Sequence, residues 1–292
     1  MTSTADPVAD AAVARLRTAV DMAAVWRITR EEQWHLLAVA ETDGGYGGSL
    51  ADLAAVVRAI AAAGLSAPVP ELYAGALGGA VGVALPIGPG EALTPWGRWC
   101  ADVLVLDGSD AVVPVRDLRE GRNIAGEPVD EMAVPASGQA GGSVLARWRV
   151  LHTARLAGAI EAAVGRTASY AETRVQFGRP IARFQAVASL VAEAHAQSVL
   201  TAAVLDRALT ETDDPASVLS AHAVAARAAG VVARIAHQVH GAIGVTQELG
   251  LERLTRRLWA WRDLWQPEFA VERVLTAGVA ARGEDYFWSA DG

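Results

Sequence analysis

The chain has 292 residues, of which 52% are hydrophobic, 20% charged and 6% aromatic, with a formal net charge of −8. That length allows one large domain or two small ones, and alanine, valine and leucine must build the interior. The acidic balance argues against a nucleic-acid partner, which needs a basic face for phosphates, and a single cysteine, Cys100, excludes an internal disulfide framework and a cysteine-based zinc site. A lone thiol suits a reducing compartment, and a cytoplasmic location is expected. The N-terminal stretch has no basic start and no long apolar core, so no signal peptide is expected. No membrane span is expected either, because no run of about twenty uncharged apolar residues occurs. No His/Asp/Glu spacing suggests a metal site.

Residues 1–8 read as a loose tail. Helical spacing of apolar residues predicts helices over Ala9–Ala24 and Thr29–Glu41, the second with Glu31 and Glu32 near its start, where they complement the helix dipole. Asp43-Gly44-Gly45-Tyr46-Gly47-Gly48-Ser49 is a loop. Ser49 or Asp52 starts the next helix, which ends at Gly64 as a C-cap. A glycine loop before a helix can bind phosphate. This one has no Gly-Lys-Ser/Thr ending and no preceding strand, so its glycines read as structural.

Pro68, Pro70, Pro86, Pro89 and Pro95 mark a boundary after one more short helix near Glu71–Ala80. From about Val81 to Arg147 short apolar runs, ADVLVLDG, AVVPVRD and EMAVPA, are cut by Asp, Gly and Pro and read as strands and turns. From Trp148 five alanine-rich helices follow, the last opened by Pro267. Several are apolar on more than one face, which argues for an antiparallel bundle that also buries surface against another subunit. The fold class expected is mainly α: an N-terminal helical domain (1–80), a reduced β-rich middle region (81–147) and a C-terminal antiparallel helical bundle (148–292).

The first bundle helix breaks at Gly178-Arg179-Pro180, because glycine tolerates positive φ and proline cannot continue a helix. The break collects Arg174, Gln176, Arg179, Arg183 and Gln185. Alone it reads as a helical hairpin with a solvated basic corner. A second block, Gln238-Val239-His240-Gly241-Ala242-Ile243-Gly244 followed by Glu248, Glu252 and Arg256, lies further on. Together TRVQFGRPI…FQ and QVHGAIG…E…ERL…R resemble the C-terminal helical domain of the acyl-CoA dehydrogenase family. AETDGGYGGSLADLAAVVRAI also resembles that family's N-terminal domain.

The resemblance implies FAD, shared across a subunit interface, with Arg174, Gln176, Phe177 and Gln185 on its ADP part. It implies that Gln238, Val239, His240, Gly241, Ala242 and Gly244 pack against the pyrophosphate. Guanidinium suits phosphate, and glycines let backbone amides approach oxyanions; Ala242 stands where a glycine is usual. The family's reaction is α,β-dehydrogenation of an acyl-CoA thioester, in which a glutamate takes the α-proton. Its two known placements fall near Trp265 and at about His152, and neither is a carboxylate here. The family's flavin-facing signatures of the middle domain are also missing. This combination resembles the smaller subunit of heteromeric acyl-CoA dehydrogenases of actinobacteria, which act on steroid side chains and other bulky acyl-CoAs.

The expected partners are an acyl-CoA or acyl-thioester substrate and other subunits, as a homodimer or as a heterotetramer with a longer acyl-CoA dehydrogenase-like subunit. His152 is a candidate base or a packed helix histidine. Asp263 and Glu268 are candidate substitutes or surface acids. His240 is a base or a structural histidine. Trp259, Trp261, Trp265, Phe269 and Trp288 line a bulky-substrate pocket or a subunit interface, with Trp261 and Trp265 foremost for the pocket. Two other readings stay open: a flavin-independent relative catalysing cyclisation, dehydration or isomerisation in natural-product biosynthesis, and a non-catalytic scaffold.

Overall fold

A computed structural model of the chain describes residues 5–109, 111–135, 142–246, 248–266 and 268–283; Trp288 and Pro267 lie outside them. The chain divides into two compact units, residues 1–60 with 65–154 and residues 61–64 with 155–292. The fold is mainly helical, with a small sheet in the middle region.

The first unit opens with α1 (Ala5–Leu16) and α2 (Met22–Glu32). The tail expected over residues 1–8 is thus already helical from Ala5. The single helix expected over Ala9–Ala24 is two helices, because Asp21 caps a new one: its carboxylate accepts from the Ala24 N–H at 2.7 Å. The helix expected over Thr29–Glu41 is likewise corrected. α2 stops at Gln33, which takes a left-handed conformation (φ 55°) and donates its N–H to Thr29. Only single 3-10 turns follow, Trp34–Leu36 and Glu41–Asp43.

The glycine loop after them is structural, as its sequence suggests. The N–H groups of Gly45, Tyr46, Gly47 and Gly48 all donate inward, to the carbonyls of Ala40, Leu36, Val39 and Leu37. A Cβ on Gly45 would lie 2.2 Å from the Val39 carbonyl oxygen. With its amides used and its backbone packed, the loop has no donors left for a phosphate. It feeds α3 (Leu50–Ala62), where Ser49 and Asp52 cap each other reciprocally: the Asp52 N–H donates to Ser49 Oγ at 3.1 Å and the Ser49 N–H to Asp52 Oδ2 at 3.0 Å. Gly64 ends it in a left-handed conformation, with Leu65 donating to Ile60 and Gly64 to Ala61. α4 (Val69–Leu77) completes the helical part.

The middle region is a five-stranded sheet. Its strands are β1 (Gly82–Gly88), β2 (Glu91–Pro95), β3 (Asp102–Val105), β4 (Val112–Pro114) and β5 (Val129–Ala133), in the order β4-β3-β1-β2-β5. Only β1 and β3 run parallel. The three runs read from the sequence are β3, β4 and β5. The β1–β2 hairpin was hidden by its prolines; Pro86 sits where the register shifts, the position that tolerates a missing N–H. The core of this sheet is Ala84, Ala92, Cys100, Val103, Val105, Met132 and Val134. Burial pushes the Cys100 thiol up to about 12, so it is inert packing.

One buried carboxylate holds the β2–β3 connection. Trp96 turns the chain in a left-handed conformation (φ 62°), and the Trp99 ring packs, tilted, between those of Trp96 and Trp26 at 5.8 and 5.9 Å. Asp130, fully buried on β5, accepts from the Arg98 N–H at 2.8 Å, Arg98 Nε at 3.2 Å, Arg98 Nη2, and the Gly121 N–H at 3.0 Å. Such a pair costs little only while complete.

The second unit contains most of α5 (Ser143–Thr173), then α6 (Gln185–Thr210), α7 (Pro215–His240), α8 (Leu251–Arg262) and α9 (Glu268–Arg282). These are the five helices expected, with the first starting earlier, at Ser143 rather than Trp148, and the fourth shorter, Leu251–Arg262. α6, α8 and α9 all pack on α7. α7 begins with Pro215 in its first turn and Asp214 accepting from the Ala216 and Ser217 N–H groups at 3.1 and 2.9 Å. By length and hydropathy alone both α6 and the stretch Pro215–Val245 could cross a bilayer. The apolar window of the second is 72% buried, as in a core helix, whereas that of α6 is 11% buried.

Asp130→Asn should lower the unfolding free energy by about 3 kcal/mol, since it removes the buried carboxylate of the Arg98 pair and leaves only the exposed Glu120, whose Oε2 lies 2.7 Å from Arg98 Nη1; urea unfolding measures it, and a loss under ~1 kcal/mol would refute the clamp. Burial, with Arg30 adding repulsion, pushes the buried His35 down from 6.5 to about 4. The folded state therefore prefers neutral His35. Its contribution is present above the unfolded value and is lost as pH falls from 6.5 towards 4, by roughly 3 kcal/mol. Wild type should lose about that much more stability between pH 7 and 4 than His35→Gln.

Candidate functional site

The second unit brings the two sequence blocks together. α5 ends at Thr173, and the break that follows is a small hairpin of β6 (Val175–Gln176) and β7 (Arg179–Pro180). Its two-residue loop is Phe177 (φ 50°) and Gly178 (φ 78°), both left-handed, as a tight hairpin turn of this hand requires. Glycine takes that conformation freely; phenylalanine does so at a cost of about 1–2 kcal/mol. The Phe177 ring is 92% exposed, with only an edge contact to Phe184 at 6.1 Å. Arg174 closes the hairpin base: its N–H donates to Tyr170 and its carbonyl accepts from Ile181, each at 2.8 Å.

The side chains of Arg174, Gln176, Arg179, Arg183 and Gln185 are all exposed. The Arg179 guanidinium lies 4.2 Å over the Phe184 ring. Among the described residues none of these three arginines has a carboxylate partner. α6 starts here at Gln185, and Phe184 before it offers no side-chain cap. A long helix with uncapped first-turn amides, beside three uncompensated guanidiniums, suits a phosphate ester.

The glycine block occupies the end of α7 and the 3-10 turn Gly241–Val245. Gln238, Gly241 and Ala242 are exposed; Val239, His240 and Gly244 are buried. Gly241 is left-handed (φ 64°) with open space where a Cβ would stand. Because a helix C-terminus carries the negative end of the dipole, positive charge for an anion must come from the hairpin rather than from this turn. The His240 ring stacks on Tyr170 at 4.3 Å, and Arg166 Nη1 donates to the Gly250 carbonyl at 3.1 Å, so α5 carries both blocks. His240 Nδ1 lies 2.8 Å from the Ala236 carbonyl and donates to it, which commits that ring nitrogen. Burial lowers the pKa of both His240 and His237.

The remaining candidates divide between the units. His152 belongs to the first; it is buried, with its ring stacked on Trp148 at 5.0 Å. In the second unit Trp261 and Trp265 are buried, and the Arg155 guanidinium lies 5.4 Å over the Trp261 ring. Asp263 is bound by its neighbour Arg262 through Nε and Nη2, each at 2.7 Å. Glu268 accepts from Arg227 Nε at 2.6 Å. Phe269 is exposed. Sequence reasoning passed over His237, Tyr170 and Thr255. The signal was present in the His237–His240 spacing, which puts both rings on one side of the last turn of α7.

Residues 140–262 match the family model described as acyl-CoA dehydrogenase, C-terminal domain. The acyl-CoA dehydrogenase IpdE2 of Mycobacterium tuberculosis is 29% identical over 291 aligned residues, covering 87% of this chain and 86% of that protein. Among solved structures, a variant of the Tcur3481–Tcur3483 steroid ACAD has a TM-score of 0.78 at 20% identity, covering 96% of both chains. The ChsE4–ChsE5 complex from Mycobacterium tuberculosis has a TM-score of 0.76 at 21% identity, covering 96% of this chain and 98% of that one. The fold is that of acyl-CoA dehydrogenases, and residues 140–262 match the model of their C-terminal domain.

Proposed function

We propose that the chain is a subunit that completes an FAD site shared with a longer acyl-CoA dehydrogenase-like partner, for α,β-dehydrogenation of a bulky acyl thioester. The observation that carries this reading is the hairpin at 174–185: unpaired arginines, an uncapped helix start and an exposed left-handed phenylalanine, all turned to solvent. Arg174 and Arg183 would hold the pyrophosphate, Phe177 the adenosine, and the exposed Gln238 and Gly241 the flank of the same group. FAD, when bound, supplies the hydride acceptor. A complete site in one chain would bury these residues; their exposure favours a neighbour that brings the rest.

The second surface favouring assembly is α6. Ala188, Ala192, Ala196, Val199 and Ala203 form one exposed apolar stripe along it, and Leu200 stands exposed beside it. Exposed alanine at this spacing allows close helix approach across an interface. The ChsE4–ChsE5 complex, as its name says, joins two components, which agrees with a heteromer here.

No carboxylate of this chain stands as the α-proton base in this reading. Asp263 and Glu268 are both engaged by arginines, and His152 replaces the acid at the other family position. We therefore assign the base to the partner. The bulky acyl group is inferred from the steroid ACAD whose fold the chain shares.

Absorbance spectra of the purified chain, alone and co-expressed with a longer dehydrogenase-like subunit, test the reading directly. Flavin bands are expected in the co-expressed sample, and Arg174→Ala should weaken flavin binding about tenfold or more. If no sample holds flavin while the lone chain is a folded dimer, the dehydrogenase reading fails and a redox-neutral reaction takes its place. Val199→Asp should leave the melting temperature of the chain within about 2 °C while dissociating the assembly in sedimentation velocity; an unchanged sedimentation coefficient would remove α6 from the interface.

A further inference from the structure

We propose that His237 is the positioning residue of the turn Gly241–Val245, locking the end of α7 to α8 through Thr255 and Trp259. Its consequence for ligand binding rests on the reading of that turn as part of the flavin site.

His237 Nε2 lies 3.0 Å from Oγ1 of Thr255, and its ring stacks on Trp259 at 5.4 Å with 16° between planes. Thr255 is fully buried, and its hydroxyl donates to the Leu251 carbonyl at 3.4 Å. It is then free to accept from an Nε2–H. The other tautomer would bury an N–H at Nδ1, which has no hydrogen-bond partner. His237 is therefore neutral with its proton on Nε2. Burial lowers its pKa in the same sense. His240, three residues on, holds the opposite tautomer through Ala236.

The turn packs against both histidines and Leu251. A Cβ added to Gly244 would lie 2.8 Å from His240 Cβ and 3.5 Å from His237 Nδ1. The turn has no side-chain cap of its own. Its position is thus set by what lies beneath it. The two histidines are pinned to different helices, His240 to Tyr170 of α5 and His237 to Thr255 and Trp259 of α8. Losing the His237 anchor frees the turn on the α8 side, and with it the exposed Gly241 and Ala242.

The test uses the full chain, co-purified with its partner where one binds, in wild type, His237→Ala, His237→Gln, Thr255→Val and Arg174→Ala forms. Two quantities are measured: hydrogen exchange of the amides at 241–245 and affinity for FAD. His237→Ala and Thr255→Val should each speed exchange and weaken FAD binding about tenfold, the loss of one buried hydrogen bond. The glutamine amide can reach Thr255 as Nε2 does, so His237→Gln should keep both quantities within about twofold of wild type. If Arg174→Ala weakens FAD binding and His237→Ala leaves exchange and affinity unchanged, the inference is overturned while the flavin reading stands. If nothing binds FAD but exchange follows the expected pattern, the flavin reading fails and the positioning role stands. Equal losses in His237→Ala and His237→Gln would assign the effect to packing and overturn it.

Discussion

The second unit depends on the small side chains of α7. Between Ala216 and Ala236 its buried surface is mostly alanine, with Ser217, Val218 and Val232 among the few others of modest size. Helix axes can approach closely only where the side chains between them are short, and α7 must accept α6, α8 and α9 at once. At Gly230 an added Cβ would lie 3.1 Å from Arg262 Nη1. Alanine burial releases little free energy per residue, about what one or two CH₂ groups supply. The unit therefore gains its stability from the length of contact and from the few large anchors, Leu219 with Val271, and Leu254 and Leu258 on α8.

That economy explains how the site is built. Short side chains cannot reach out from α7 to fix a loop, so the turn at its end is held by longer rings brought from elsewhere. Tyr170 comes from α5, four residues before Arg174, and Trp259 comes from α8. The hairpin and the glycine block are thereby referred to the same two helices. The charges follow a similar division. Arginines on the hairpin stay unpaired, while Arg227 on α7 is neutralised by Glu268 and Glu272 and Arg262 on α8 by Asp263.

The sequence disclosed the number and order of the helices of the second unit, with ends within about five residues, because Pro215, the Gly178-Arg179-Pro180 break and the long alanine periodicity are strong local signals. It disclosed the strands β3, β4 and β5 for the same reason. It failed where a local cap overruled periodicity. Gln33 ends α2 although the apolar pattern runs on, and Asp21 starts a helix inside what reads as one. The β1–β2 hairpin was obscured by prolines that the sheet accommodates at a register shift. In the site, residue identities in the two blocks were legible, but their support was not: the tautomers of His237 and His240 are fixed by Thr255 and Ala236, and only the folded chain pairs them. The strand character of 175–180 was also missed, since two-residue strands leave no periodicity.

Phe177 sets two demands against each other. A glycine or asparagine at the hairpin apex would relieve its backbone cost, and the ring gives back little within the chain, being exposed apart from one edge contact. Selection on folding alone would remove it. The apex is therefore a place where the most stable sequence and the useful one differ, and a stabilisation screen run on the isolated chain would be drawn to substitute the residue whose value lies outside it.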